Sequence, residues 1–465
     1  MVARPAIATM FATMTTVLAG CGDNLPPDIA PKSGTRIKLG WYVFDDGARQ
    51  LERPVLHDTF LDFTCRPTQF SDGASYCMPI DPAPIGYHDE NCTMPVGYQP
   101  RGNPPPAFLV QTFAIGGQGR PSRLYRKGLA HGPLATFYAK AGSECAAVDG
   151  AAFDFYNVGT ELPRADLARI KRSEGVGTGR VRVALDTSDD GLRVPAVLVD
   201  AVLGDECHPE DRADEPTARC IPARRASNGF YSDARCVDPV ALTLAGEPVP
   251  TAVELVTGDG CTNYAALGPE LFPFELYRQA GASCVFTTPP FGMRTFALGL
   301  ALGLPTVSRV RLPVDGRRMW NVVIAPEDAA AAQTTPAMHL PVMFDALRDI
   351  ECRLARVGDV MRCLPIPRDA YQGFYFSDAA CTSRIDIALV ASGTCDPHAD
   401  YVLLGDPGGE RIVRPLGDRY DGTLYEISTA DSCLAYVPPA RYVPHVLEAP
   451  QPLDGFAAAT LVIDR

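Results

Sequence analysis

Six aspartates recur at matching places in this chain, and repeated carboxylates are where acid chemistry or cation binding would begin. Asp58, Asp200 and Asp345 each stand seven residues before a cysteine, while Asp89, Asp233 and Asp378 each stand three residues before another. Either set, gathered as a ring, would offer oxygen ligands in symmetric array, which suits calcium. Acid catalysis asks for something different: two carboxylates whose surroundings hold one protonated and the other ionised. Threefold recurrence supplies like surroundings instead. A scaffold demands such recurrence, and an aspartate in a turn can accept local backbone N–H bonds. The structural reading is therefore preferred, with the carboxylate ring of Asp58, Asp200 and Asp345 kept as the candidate site.

Other reactive signatures fail on inspection. The sequence contains no G-x-S-x-G, no H-E-x-x-H and no G-x-x-x-x-G-K-[ST]. Zinc is disfavoured because no C-x-x-C occurs and the seven histidines do not recur at matching positions. His57, beside Asp58, is replaced by Val199 and Phe344 in the other copies, so packing explains it better than catalysis. Trp41 and Trp320 are likewise single and read as packing residues. The glycines of "GVGTG" at 175 to 179 lead into a strand, not a helix, and form a linker. No cofactor and no metal is expected, and the catalytic residues, if any, are unknown.

The elements that position these residues are written three times. Twelve of the fifteen cysteines form three sets: Cys65, Cys77, Cys92 and Cys145; Cys207, Cys220, Cys236 and Cys284; Cys352, Cys363, Cys381 and Cys433. The period is about 145 residues, and other features travel with it, including proline two places after each second cysteine and the phrases "GYHDENC", "GFYSDARC" and "GFYFSDAAC". Such self-similarity marks an internal repeat. The copies are set at 34–176, 177–307 and 308–465. Within each, the first two cysteines lie 11 to 13 residues apart, a loop whose closure by a disulfide contributes about 3 kcal/mol in the chain-entropy model. Cys65 with Cys77, Cys207 with Cys220 and Cys352 with Cys363 are the expected pairs. The third and fourth cysteines either pair together or involve Cys261 and Cys395, present in copies two and three alone, and spacing does not decide between these.

Period-two alternation opens each copy: Ile37, Leu39, Trp41 and Val43; Val181, Val183 and Leu185; Val310, Leu312 and Val314. "DDG" follows in copies one and two and "VDG" in copy three, each a hairpin signal. "ELPRADLARIKRS" at 161–173 and "PEDAAAAQ" at 326–333 are the helix candidates. Gly 41 and Pro 43 favour turn-rich β structure. The fold expectation is all-β, roughly eight strands per copy in two groups of four, which suits a six-bladed β-propeller with two blades per copy. Three consecutive β-sandwich domains are the alternative.

The amino terminus, "MVARPAIATMFATMTTVLAGCGDN", resembles a bacterial lipoprotein signal with its lipobox Leu-Ala-Gly-Cys. Its apolar run is too short to span a bilayer and suits a signal core. That resemblance implies removal of residues 1–20, lipidation of Cys21, and a Pro-rich tether over 21–33 holding the protein to a membrane by acyl chains. Fourteen cysteines then remain, an even number in an exported chain, so disulfides are expected. A formal charge of −13 with no Lys/Arg run excludes a nucleic-acid footprint.

"MRCLP" at 361–365 and "FYFSDAAC" at 374–381 are similar to repeated units, of the form Cys, "RCLP" and "YFSDAGC", in uncharacterised predicted lipoproteins of myxobacterial type; copy one departs from them with "YCMP". The resemblance implies a surface location and carries no assigned activity. The functional expectation is a non-catalytic, lipid-anchored extracytoplasmic binding or scaffold protein, on the cell envelope at the outer membrane or cell surface, with a protein or glycan ligand. A hydrolase or lyase of polysaccharides or esters, acting in a propeller channel, is the alternative.

Overall fold

The computed structural model describes residues 30–464, apart from 116–117, 142–143, 178, 212–216, 246–247, 257–260, 273–274, 281–282, 289–291, 314–316, 327–337, 367–369, 392–399, 406–410, 428–431 and 440–441. The leader, Cys21 with most of the tether, Cys395, the "VDG" turn and nearly all of the 326–333 helix candidate lie outside the described residues. Among the described residues, regular structure is strand throughout, save two short 3-10 turns at Arg164–Asp166 and Leu453–Gly455. The protein is all-β.

Fifteen strands close into one ring, each copy contributing five in succession. Copy one gives Ile37–Phe44, Arg49–Asp58, Phe63–Gln69, Ser75–Pro79 and Arg169–Arg172. Copy two gives Val181–Ser188, Arg193–Asp200, Asp205–Glu210, Ala218–Pro222 and Thr306–Leu312. Copy three gives Met319–Pro326, Met338–Asp345, Ile350–Val357, Val360–Pro365 and Ala458–Ile463. The fifth strand of each copy bonds to its own fourth strand and to the first strand of the next copy. The ring shuts where Gly40–Phe44 pairs with Ile463–Ala459. Gly40 leaves close packing at this seam, where a Cβ would sit 3.0 Å from terminal side-chain atoms of Ile463 and Leu461.

Thr306–Leu312 is thus the fifth strand of copy two and not the opening strand of copy three. Its apolar alternation misleads because every ring strand shares that period. The true phase is set opposite the recurring aspartate of the second strand: Ile37 faces Asp58, Val181 faces Asp200 and Met319 faces Asp345. The helix candidate at 161–173 is also corrected. It comprises the end of a strand, the Arg164–Asp166 turn and the strand Arg169–Arg172, because Leu162, Leu167 and Ile170 are all buried in the ring core.

Between its fourth and fifth ring strands each copy builds a satellite of five strands with a hairpin beside it, Thr136–Ala141 with Glu144–Asp149, Leu276–Ala280 with Ser283–Thr287 and Leu424–Ile427 with Cys433–Tyr436. In copy one the order is Ala83–Tyr87, Pro95–Pro100, Phe153–Leu162, Gln118–His131 and Phe108–Ile115, closed by parallel pairing of the first with the last. Copy two repeats it with Arg225–Tyr231, Pro239–Leu244, Met293–Ala301, Thr262–Leu271 and Ala252–Val256, again closed by a parallel pair. Copy three keeps the order with Ala370–Gln372, Ile387–Ala391, Tyr442–Leu447, Arg411–Arg419 and Tyr401–Gly405.

Neither expected arrangement of the strands is formed. Propeller blades are separate sheets around an axis, whereas here hydrogen bonding runs unbroken through all three copies, and closure removes the exposed strand edges. Nor are the copies beads. Leu192 and Val194 of copy two are buried with Ile37, Leu39 and Leu56 of copy one, and Phe44 and Ala48 of copy one with Met319, Met343 and Cys352 of copy three. Each buried aliphatic of this kind stabilises by about 1.5–3 kcal/mol, so a copy cut from its neighbours would lose part of its own core.

Candidate functional site

The three aspartates that end the second ring strands are fully buried. Each meets an arginine placed just before, or at the threshold of, the first strand of the same copy. Arg36 donates to Asp58 from Nε at 2.9 Å and Nη2 at 2.6 Å, and the N–H groups of Phe60 and Leu61 donate to it at 3.0 and 3.2 Å. Arg180 holds Asp200 at 3.0 and 2.8 Å, with the N–H groups of Val202 and Leu203 at 2.9 and 3.3 Å. Arg318 holds Asp345 from Nε at 2.7 Å and from Nη2, with the N–H of Leu347 at 3.1 Å. The bond to Asp345 raises the pKa of Arg318, against the opposing effect of burial.

Each arginine also donates to a carbonyl just ahead of the fifth strand: Asp166, Gly303 and Gly455. One side chain therefore fastens the start of the first strand, the turn after the second and the approach to the fifth. The planar guanidinium fork suits such two-pronged capture of a carboxylate. Asp58 accepts four bonds and Asp200 five, so both oxygens of each carboxylate are engaged, and each charge is neutralised by its arginine. The candidate carboxylate ring is not assembled: among the described residues no group of three or more His, Cys, Asp or Glu side chains could hold a metal ion.

The second set of aspartates folds a loop in each copy. Asp89 accepts from the N–H groups of Thr93 and Met94, Asp233 from Arg235, Val237 and Asp238, and Asp378 from Ala380, Thr382 and Ser383. The Ser383 N–H leads in holding Asp378 down to about 2, and the Asp238 N–H leads in lowering Asp233. Burial opposes ionisation of Asp89, yet the Met94 and Thr93 bonds prevail and its pKa is also lowered. The loop turns so tightly that its cysteine takes a left-handed backbone, with φ of 51° at Cys92, 53° at Cys236 and 51° at Cys381. Those cysteines bond to Cys145, Cys284 and Cys433 on the satellite hairpins.

The first two cysteines of each copy are joined as Cys65–Cys77, Cys207–Cys220 and Cys352–Cys363, with Cα atoms 5.2, 5.3 and 5.2 Å apart. Cys65, Cys207 and Cys352 face Pro79, Pro222 and Pro365 across the ladder, so each bridge runs diagonally to the cysteine two residues before the proline. Cys261 is also disulfide-bonded.

Carboxylates join the copies too. Asp190, in the first turn of copy two, accepts from the N–H groups of Arg36 at 2.6 Å and Ile37 at 2.7 Å, while Asp46 accepts from Met319 of copy three at 2.8 Å. Arg172 reaches across to Glu206 at 2.6 Å, and Arg309 likewise contacts Glu351 and Asp211. That last seam borders a cleft of about 320 Å³ lined by Arg309, Arg311, Asp349, Glu351 and Tyr401. Arg311 lies over the Phe344 ring at 3.9 Å and 3.6 Å from Glu351, so the charges lining the cleft are paired with one another.

Recurrence extends over the whole body, and so does the match to a family: its model covers residues 14–456. The chain belongs to a family of unknown function, DUF7481. No curated protein and no solved structure matches it. For this DUF7481 chain the sequence exposed the aspartates and missed their arginines. The signal was present, since "TRIKL", "GRVRV" and "RRMWN" each put arginine before an apolar strand. It was hidden by phasing copy three on Val310. Of the remaining singled-out residues, His57 sits 3.6 Å from Asp62, Trp41 donates to Asp464 at 3.3 Å beneath Arg49, and Trp320 donates to the Arg317 carbonyl at 3.0 Å.

Proposed function

We propose that this protein is a lipid-anchored, non-catalytic binding or scaffold body of the cell envelope. The observation that carries the reading is the engagement of its most site-like residues: Asp58, Asp200 and Asp345 are each bound by an arginine and by backbone amides. Six disulfides among the described residues fit an oxidising compartment outside the cytoplasm. No helix among them is long and apolar enough to cross a membrane. Anchoring would then fall to acyl chains on Cys21, and binding to the satellite loops, where repeat bodies carry their variation.

Purified protein from the native envelope provides the test. The N-terminal peptide should begin at an acylated Cys21, and a pull-down without reductant should retain a protein or glycan partner. Turnover of polysaccharide or ester substrates, lost on substitution of one acidic residue, would replace the scaffold reading with the hydrolase reading.

A further inference from the structure

The three seams of the ring are alike in backbone and unlike in side chains. Strand register gives one matching row at each seam, running from the fifth strand of one copy across the first and second strands of the next. The rows are Arg172, Asp186 and Val194; Arg309, Ile324 and Met338; and, where the ring closes, Leu461, Tyr42 and Gln50. At the first two seams the arginine that leads the row reaches an acid on the third strand of the next copy, Arg172 to Glu206 and Arg309 to Glu351. At the closing seam Leu461 stands in place of the arginine. Thr64 stands in place of the acid, facing His57 as Glu206 faces Val199 and Glu351 faces Phe344. The row there has no partners for an ion bridge.

The inner end of the row is exchanged as well. Val194 is buried in the core of copy one and Met338 in that of copy two, as apolar groups among apolar groups. Gln50 is 2% exposed, and among the described residues neither its amide oxygen nor its amide nitrogen has a hydrogen-bond partner. Its row neighbour Tyr42 packs on Phe44, Ala48, Met319 and Met343, which places the row at the joint between copies one and three. A buried amide without partners carries its desolvation cost uncompensated.

The backbone does not offset this difference, because the ladder of Gly40–Phe44 on Ala459–Ile463 lies between the other two in length. Asp464 is the polar fastening of the closing seam. It accepts from Ser33 at 2.8 Å, from Trp41 at 3.3 Å and from Arg49 at 3.3 Å. Arg49 is half exposed, and ion pairs so open to water contribute little. We propose that the ring opens here first, the strand Ala458–Ile463 parting from Gly40–Phe44 while the other two seams stay shut. Parting lets water reach the row that ends at Gln50 and breaks no Arg–Glu bridge. The proposal stands with or without the lipid anchor.

Hydrogen exchange of the full native chain, read by mass spectrometry on peptides covering 169–172, 306–312 and 458–463 and corrected for intrinsic rates, compares the three fifth strands. Residues 458–463 should exchange about tenfold faster than the other two segments. Gln50→Val, which copies Val194, should slow 458–463 by about fivefold and leave the other two unchanged. Leu461→Arg with Thr64→Glu, which copies Arg172 and Glu206, should act in the same direction at the same segment. Equal exchange of the three strands overturns the proposal. So does faster exchange in Gln50→Val, which would show the amide to be satisfied in the folded protein. Exchange at 458–463 that neither variant moves would be fraying of the last strand, and slowing of all three segments alike would be global stabilisation; each contradicts a seam that opens by itself.

Discussion

At the scale of the residue, the fold turns on a carboxylate that water does not reach. Asp200 is fully buried and Arg180 is its countercharge. Replacing Arg180 with methionine strands that charge, at a cost of about 3 kcal/mol, read as a lowered urea midpoint at constant slope. Adding Asp200→Asn to Arg180→Met should restore part of the loss, because the amide oxygen still accepts from Val202 and carries no charge. Acid acts on the other set. The pKa of Asp378 in the folded protein, about 2, lies below the unfolded value near 3.9, so its loop contributes stability above about pH 4 that fades as pH falls toward 2. Asp378→Asn should flatten the stability profile across that window, and an unchanged profile would deny the loop its role. Both aspartate sets were legible in the sequence because they keep fixed distances from cysteines. Their arginines lie 20 to 27 residues away at varying spacing, where only the folded ladder brings them together.

At the scale of the element, the turns after the second strands share one backbone. Asp62, Gly204 and Asp349 occupy equivalent places with φ of 56°, 64° and 54°. A left-handed residue of this kind tolerates glycine or aspartate and penalises β-branched side chains. Gly204→Val should therefore cost about 1–3 kcal/mol, while Asp349→Gly should change stability by less than about 1 kcal/mol; thermal melts of the two variants check the contrast. The cysteine spacing of 11 to 13 residues was informative for a related reason: it is the length of one hairpin, so two cysteines in it fall on adjoining strands. Strand character was informative, but the expected eight strands per copy fall short of the twelve of copy one, and strand partnership was not legible. Alternation is a property of one strand, whereas the choice between propeller, sandwiches and ring rests on ladders such as Arg169 with Tyr76, Ala218 with Val307 and, at the closing seam, Gly40 with Ile463, whose partners are far apart in the chain. Thr306–Leu312 shows the difference, being read as a strand and assigned to the wrong copy.

At the scale of the whole molecule, three incomplete units complete one another. Asp190 holds the start of copy one, Asp46 holds the start of copy three, and the last strand of copy three shuts the ring against the first of copy one. Removing residues 458–465 should expose two strand edges and replace one cooperative transition by a broadened one with aggregation, visible in a calorimetric scan. The central assertion is that the recurring buried carboxylates are occupied in holding turns, leaving none for chemistry. Residue-resolved hydrogen exchange of the native protein tests it most directly: the N–H groups of Phe60, Val202 and Leu347, on side chains open to solvent, should exchange slowly and in step. Exchange at the speed of a free surface loop at those three amides would mean that the carboxylates are not bound to them, and the scaffold account would fall.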